Sequence, residues 1–177
     1  MSPSKVSDAA RRKVIVDAAR DCFLQYGFGK TSLDDIARKA GISRPLIYRK
    51  YKNKEALFVA VFEDAYVERY PAAAAVVAGP GTKRAKLMRI YELLLIELWD
   101  EIAKAPRAIE FFDACTNLFP QVEAEHEKHR LKYTQAILGS RELAEVFMLA
   151  VDGLELDLPR TSVLRRRIQI LIERFVP

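Results

Sequence analysis

One glycine between two short apolar repeats constrains this chain more than anything else in it. In residues 31–54, TSLDDIARKAGISRPLIYRKYKNK, Leu33, Ile36, Ala37 and Ala40 recur at helical spacing. Thr31 or Ser32 stands just before them, where a side-chain oxygen caps free backbone N–H groups. Gly41 then ends that helix, because the residue just past a helix end is often forced to positive φ and glycine adopts it without strain. Ser43 is placed to cap a second helix over 44–51. Pro45 falls in its first turn, where a missing N–H breaks no intrahelical bond. Two short helices about one turn predict a helix-turn-helix.

The second helix is too short to be stable alone and must be held by packing. Leu46, Ile47 and Tyr51 are its packing candidates and Arg44, Tyr48, Arg49 and Lys50 its outward ones, with Leu46 able to join either set. The small Ala37 suits a close crossing, with Ile47 filling the space between the helices. In such a motif the second helix enters the DNA major groove with its N-terminal residues nearest the base edges, here Arg44, Pro45, Leu46 and Arg49.

The run 31–58, TSLDDIARKAGISRPLIYRKYKNKEALF, resembles the TetR family of transcriptional regulators, whose pattern has a threonine, Ile-Ala, Ala-Gly-Val-Ser, Leu-Tyr, an aromatic and Lys-Glu-Ala-Leu. The resemblance implies that Tyr48 and Lys54 clamp phosphates and that Arg44, Pro45, Leu46, Arg49 and Lys50 face the groove. Thr31, Ser32 and Ser43, at the helix starts, complete the expected DNA-binding set. Tyr51 stands where phenylalanine is commoner, and Arg49-Lys50 makes the groove face unusually basic; both departures bear on operator choice rather than fold. The implied architecture is all-α with about nine helices. An N-terminal three-helix DNA-binding domain would occupy 1–54 and a helical ligand-binding and dimerisation domain 55–177, with a helix over 54–70 joining them.

The charge distribution agrees. Net charge is +5 over 177 residues, yet residues 1–54 hold 13 Lys and Arg against 5 Asp and Glu, or +8, and residues 55–177 hold 16 against 19, or −3. A field of that sign at one end favours a polyanion there, and DNA is the obvious one. With half its residues hydrophobic, the chain has material for one sizeable core or for two small domains sharing a helix.

Little here suggests catalysis. Cys22 and Cys115 lie far apart in apolar helical patterns and in no CxxC or Cys/His ligand spacing, so they read as buried free thiols, which suits a reducing cytosol. His126 and His129, in EHEKH, do not match the i, i+4 zinc spacing, and no metal site or cofactor is expected. A Gly-rich phosphate loop and G-x-S-x-G are both missing, so no enzyme is expected. No signal-like leader opens the chain and no apolar run is long enough to cross a bilayer, so the expected location is cytoplasmic, without membrane.

Taken in order, residues 1–5 are expected to be mobile, and Ser7 or Asp8 to cap a first helix reaching about residue 26. Its apolar face is Val14, Ile15, Ala18, Ala19, Cys22, Phe23 and Tyr26, and Gly27 ends it. Arg11, Arg12 and Lys13 read either as contacts to the DNA backbone or as a solvated face. Asn53 is placed to cap the helix over 54–70, with Leu57, Phe58, Val61, Phe62, Ala65 and Tyr66 as its stripe. Pro71 is expected to break it, before an alanine-rich segment and a loop near 77–81. Thr82 opens a long helix, with Leu87, Ile90, Tyr91, Leu94, Leu98 and Ile102 on one face. Shorter apolar patterns follow over 107–118 and 121–138, and two amphipathic helices over 141–156 and 161–176 close the chain.

By the same resemblance, a small effector would sit between the long helix and its neighbours. The candidates are Tyr91, Leu95, Trp99, Phe111, Phe112, Cys115, His126, Tyr133, Phe147 and Met148, although aromatic stripes at helical spacing read equally as plain core. Their chemistry favours a hydrophobic or aromatic effector. The two last helices resemble the pair that, in the family, meets its symmetry mate in a four-helix bundle. A homodimer follows, with recognition helices roughly 34 to 36 Å apart on a pseudo-palindromic double-stranded operator. The expected function is therefore a ligand-responsive transcriptional repressor. A DNA-binding regulator without a small-molecule ligand and a helical protein-interaction module remain the alternatives.

Overall fold

A computed structural model describes residues 7–176, and the expectation for residues 1–5 lies outside them. Among the described residues there are helices and no strands. They gather into two packing units: residues up to Asp64 with Ala105–Phe119, and Ala65–Lys104 with the chain from Pro120 onward. These units are not contiguous in sequence, whereas the division read at residue 54 is one of charge.

In the first unit, α1 (Asp8–Tyr26) starts at Ser7, whose hydroxyl accepts from the Ala10 N–H at 3.1 Å, and ends at Gly27, with φ of 86°. Helix α2 (Leu33–Lys39) begins with a reciprocal cap, Ser32 Oγ accepting from the Asp35 N–H while the Asp35 carboxylate accepts from the Ser32 N–H. Its end is a glycine stop. Gly41 sits at φ 63°, its N–H returns to the Arg38 carbonyl at 3.2 Å, and that of Ile42 returns to Ala37 at 3.0 Å. Helix α3 (Arg44–Lys50) follows after Ser43, which stands at the N-cap without a side-chain cap bond. Asn53 caps α4 (Lys54–Tyr66) through the Ala56 N–H at 2.9 Å.

What closes this unit comes from far away in sequence. Helix α7, an α-helical Ala108–Asp113 continued by a π-helical Ala114–Leu118, brings Phe111 and then Phe119 onto Phe58. Phe23, Phe28, Phe111 and Phe119 all lie with ring centroids 4.8 to 5.3 Å from that of Phe58. The backbone is joined too: the Arg107 N–H donates to the Leu24 carbonyl at 3.1 Å. Phe111 and Phe119, at 5% and 6% exposure, are thus core residues of the unit that carries the helix-turn-helix. Opposite ends of α1 and α4 are tied by Asp64, which takes Arg12 at 3.1 Å and Lys13 at 3.0 Å.

The second unit contains α5 (Arg69–Ala78), α6 (residues 83–103), α8 (Pro120–Leu138), α9 (Arg141–Gly153) and α10 (Thr161–Phe175). The described residues thus form ten helical segments, or nine if α4 and α5, parted by a turn at Val67 and Glu68, are counted together, in line with the expected number. That turn corrects the sequence reading. The helix from Lys54 ends at Tyr66 rather than at residue 70, and Pro71 breaks nothing because it lies in the first turn of α5, where its N–H is not needed. Helix α6 carries a π-helical Glu92–Ile96 between its α-helical parts. One extra residue in a turn rotates the following face by about 100°. Accordingly Leu93 and Ile96 join Leu87, Ile90, Tyr91, Leu94, Leu98, Trp99 and Ile102 in the core.

Polar groups are built into this second core. The Tyr91 hydroxyl pairs with Thr134 Oγ1 at 3.1 Å, and the buried Arg130 donates from Nη2 to Asp152 at 2.7 Å. Trp99 Nε1 donates to the Pro159 carbonyl at 3.0 Å. Among the described residues no helix is long and apolar enough to cross a membrane, and no group of His, Cys, Asp and Glu is placed to hold a metal ion.

Candidate nucleic-acid interface

Helix α3 is seated by Ile47, which is fully buried. At about 100° per residue, Pro45 and Arg49 then fall farthest from the buried side, Leu46 and Tyr48 on the flanks, and Arg44 and Lys50 beside the buried edge. Side-chain exposure follows that wheel. Pro45, Tyr48 and Arg49 are exposed and Leu46 is half-buried. Arg44, at the free N-terminal end, is exposed as well, with its guanidinium Nη2 2.6 Å from Asp34 Oδ2 on α2.

Three of the ten expected DNA-facing side chains are instead turned to the protein itself. Thr31 is buried, its hydroxyl donating to the Gly27 carbonyl at 2.8 Å and so closing the loop after α1. Lys50, close to the phase of Ile47, reaches Asp8 in the first turn of α1 at 2.6 Å and is only 20% exposed. The ammonium beside Asp8 holds that carboxyl below the usual carboxylate range. Lys54 directs its ammonium to the carbonyls of Phe28 at 2.8 Å, Thr31 at 3.2 Å and Gly29 at 3.4 Å, over the Phe28 ring. Carbonyls left free by the end of α1 and by the loop draw in the cation, so this lysine braces the 28–31 loop. Ser32 is exposed and occupied in capping α2, and Ser43 is exposed.

Sequence reasoning missed the acidic partners, Asp34 and Asp8, because a carboxylate across a turn carries no local signal. It also missed that Arg107, remote in sequence, joins Tyr26, Lys30, Arg38 and Lys39 around a depression on the first unit. Of the basic run in α1, Arg12 and Lys13 are paired to Asp64.

The ten effector candidates divide between the units. Phe111, Phe112 and Cys115 belong to the first, the other seven to the second. Tyr91, Trp99, His126, Tyr133, Phe147 and Met148 are buried and Leu95 is half-buried. His126 stacks on Tyr66 with centroids 4.1 Å apart, and its Nδ1 lies 3.1 Å from the Tyr70 hydroxyl. Burial first, then the charge of Arg130, pushes the His126 pKa down to about 3, so the ring is neutral.

Residues 15–61, from α1 through the helix-turn-helix into α4, match the family model described as bacterial regulatory proteins, tetR family. Over these residues the chain is similar to the DNA-binding domain of the TetR family. It is 42% identical over 60 residues to an HTH-type transcriptional repressor of Mycobacterium tuberculosis, a match covering 32% of each chain. The matched stretch thus spans about a third of that relative's length. Over nearly the whole chain the fold is similar to solved structures. A TetR-like transcriptional regulator from Rhodococcus sp. RHA1 aligns with TM-score 0.68 at 23% identity over 96% of this chain and 97% of its own. SmeT, the repressor of the Stenotrophomonas maltophilia multidrug efflux pump SmeDEF, aligns with TM-score 0.70 at 18% identity over 97% and 89%. At such identities these TetR-fold neighbours speak for the fold alone, while the family match rests on the DNA-binding helices.

Proposed function

We propose that the protein is a dimeric, cytoplasmic, DNA-binding transcriptional regulator that represses its targets and releases a pseudo-palindromic operator when a small hydrophobic or aromatic effector binds. The observation that carries the DNA-binding part is the exposed face of α3, where Arg44, Pro45, Tyr48 and Arg49 stand together on a helix anchored by Ile47. Phosphate contacts fix register and base-edge contacts read sequence, and this face has residues for both. The named relative is a repressor, which supports that sign of regulation.

Dimerisation is supported by apolar side chains left uncovered on the last two helices: Leu143, Val146 and Leu149 on α9, Val163 and Ile170 on α10. A stripe of this kind is what a two-fold helical bundle covers. Function would divide near residue 54, with DNA reading before it and effector binding and dimerisation after it. A regulator without a small-molecule effector is the second reading. It is favoured by the hydrogen bonds and ring packing that already occupy Tyr91, Trp99, His126 and Phe147.

The deciding experiment is selection of bound fragments from genomic DNA with purified protein, then titration of the winner in increasing salt. A pseudo-palindrome bound by a dimer, with log affinity falling steeply in log salt, is the expected result. Enrichment of no sequence by folded, dimeric protein overturns the DNA-binding reading. A thermal-shift screen tests the effector: stabilisation by apolar aromatic compounds and weakened operator binding at saturation must occur together.

A further inference from the structure

The three cations of α3 are not equivalent. Lys50 is drawn down to Asp8 and largely covered, and Arg49 is exposed and makes no close ion pair among the described residues. Arg44 differs from both: its Nη2 is held 2.6 Å from Asp34 Oδ2, yet its side chain is 70% exposed. Asp34 is the second residue of α2, set in place by the Ser32 cap, so the pair links the two helices of the motif across their turn. Asp34 Oδ1 is buried and has no partner among the described residues. The contact is therefore one-armed, and the rest of the guanidinium remains uncommitted.

An exposed ion pair of this kind adds little to stability, so holding the fold is not what it supplies. It does keep one guanidinium nitrogen beside the carboxylate and so biases the orientation of the group. Its effect on DNA binding also has a definite sign, because a carboxylate beside an incoming duplex repels phosphate and weakens binding to every sequence. Besides suiting the N-terminal turn of α2, the carboxylate at this edge limits which partners Arg44 takes. A guanidinium free to rotate pairs with any phosphate; one fixed by a carboxylate presents its remaining N–H groups in a fixed fork that matches guanine O6 and N7.

We propose that Asp34 is a specificity-determining residue of the operator interaction, buttressing Arg44 so that it reads guanine at one position of each half-site. The proposal rests on the DNA-binding reading above, and Asp34 acts in it as a positioning residue, through Arg44.

The test uses the full chain and the operator recovered by selection, with single-base-pair variants of it and a random duplex, in fluorescence anisotropy at fixed salt. Arg44→Ala and Asp34→Asn are each expected to lower the preference for operator over variant about tenfold at the same base pair. Asp34→Asn is expected to leave binding to the random duplex equal or stronger, and Asp34→Glu to restore part of the preference. The double variant should discriminate no worse than Arg44→Ala alone. Two results overturn the proposal: an equal change on operator and random DNA with preference intact, or a further loss of preference on adding Asp34→Asn to Arg44→Ala. Circular dichroism melts of each variant exclude misfolding as the cause. Absence of sequence preference in the unmodified protein would instead remove the DNA-binding reading, and is seen before any variant is made.

Discussion

The two packing units hold themselves together by opposite means. Around Phe58 the first unit gathers four other phenylalanine rings, contacts that are non-directional and spread over a large apolar area. The second threads polar side chains through its core, Arg130 to Asp152, Tyr91 to Thr134 and His126 to Tyr70, each demanding one geometry. A core of rings tolerates small displacements of its helices, whereas a buried polar network favours one arrangement and makes it depend on protons. The physical difference suits the proposed regulator, in which the first unit would adapt to a groove and the arrangement of the second would be what an effector changes.

Removing the centre of the ring cluster is the strongest way to break this contrast. Phe58→Ala is expected to cost about 3 to 5 kcal/mol. Trp99, the one tryptophan of the chain, lies in the second unit. Urea unfolding followed by far-UV circular dichroism should therefore shift further than unfolding followed by tryptophan emission. Coincident shifts would mean that the two units unfold as one.

Proton dependence should belong to the second unit. Burial, partly offset by Arg130, pushes the Glu155 pKa up to about 7. A carboxyl that holds its proton more tightly when folded contributes stability that is fully present below its unfolded value and lost as pH rises through about 7. Relative to Glu155→Gln, the unmodified protein should lose at most about 3 kcal/mol between pH 4.5 and 7.5. His126 works in the opposite direction: it is buried neutral, and its contribution is complete above pH 6.5 and lost as pH falls toward 3. His126→Gln should flatten that acid limb, as read from unfolding midpoints across pH.

Smaller changes sharpen the same comparison. Tyr91→Phe leaves the Thr134 hydroxyl buried without its partner and should destabilise by about 1 to 2 kcal/mol. Ser32→Ala removes one arm of the cap on α2 and should cost about 1 kcal/mol, visible in the dichroism transition more than in Trp99 emission. Asp34→Asn should move neither midpoint by more than about 0.5 kcal/mol, which separates its effect on reading from any effect on folding.

The elements set by local rules were legible in the sequence: the glycine stops at Gly27 and Gly41, the caps at Ser7, Ser32, Asn53 and Thr82, and the burial of Ile47. Where tertiary contacts decide, the sequence was silent. The spacing of Ile109, Phe112, Cys115 and Leu118 marks a helix but not its buried side, since Ile109 and Leu118 are exposed, and nothing local announces that Phe111 packs on Phe58. Nor do the π-helical turns of α6 and α7 have a residue signature. The carbonyl contacts of Lys54 were hidden for a related reason: which acceptors the fold brings within reach of a lysine at a helix start is not a local property. In the candidate interface, the set of exposed side chains on α3 followed from Ile47 and the helical period, while their pairing with Asp8 and Asp34 did not.

The insertion of residues 105–119 into the first unit also bears on how the molecule is made and how it changes by recombination. A ribosome that has released only residues 1–64 has not yet supplied Phe111 or Phe119, so the first unit completes its core well after α3 has been synthesised. Joining those first 64 residues to an unrelated body would carry over the exposed side chains of α3 but leave two sides of Phe58 bare.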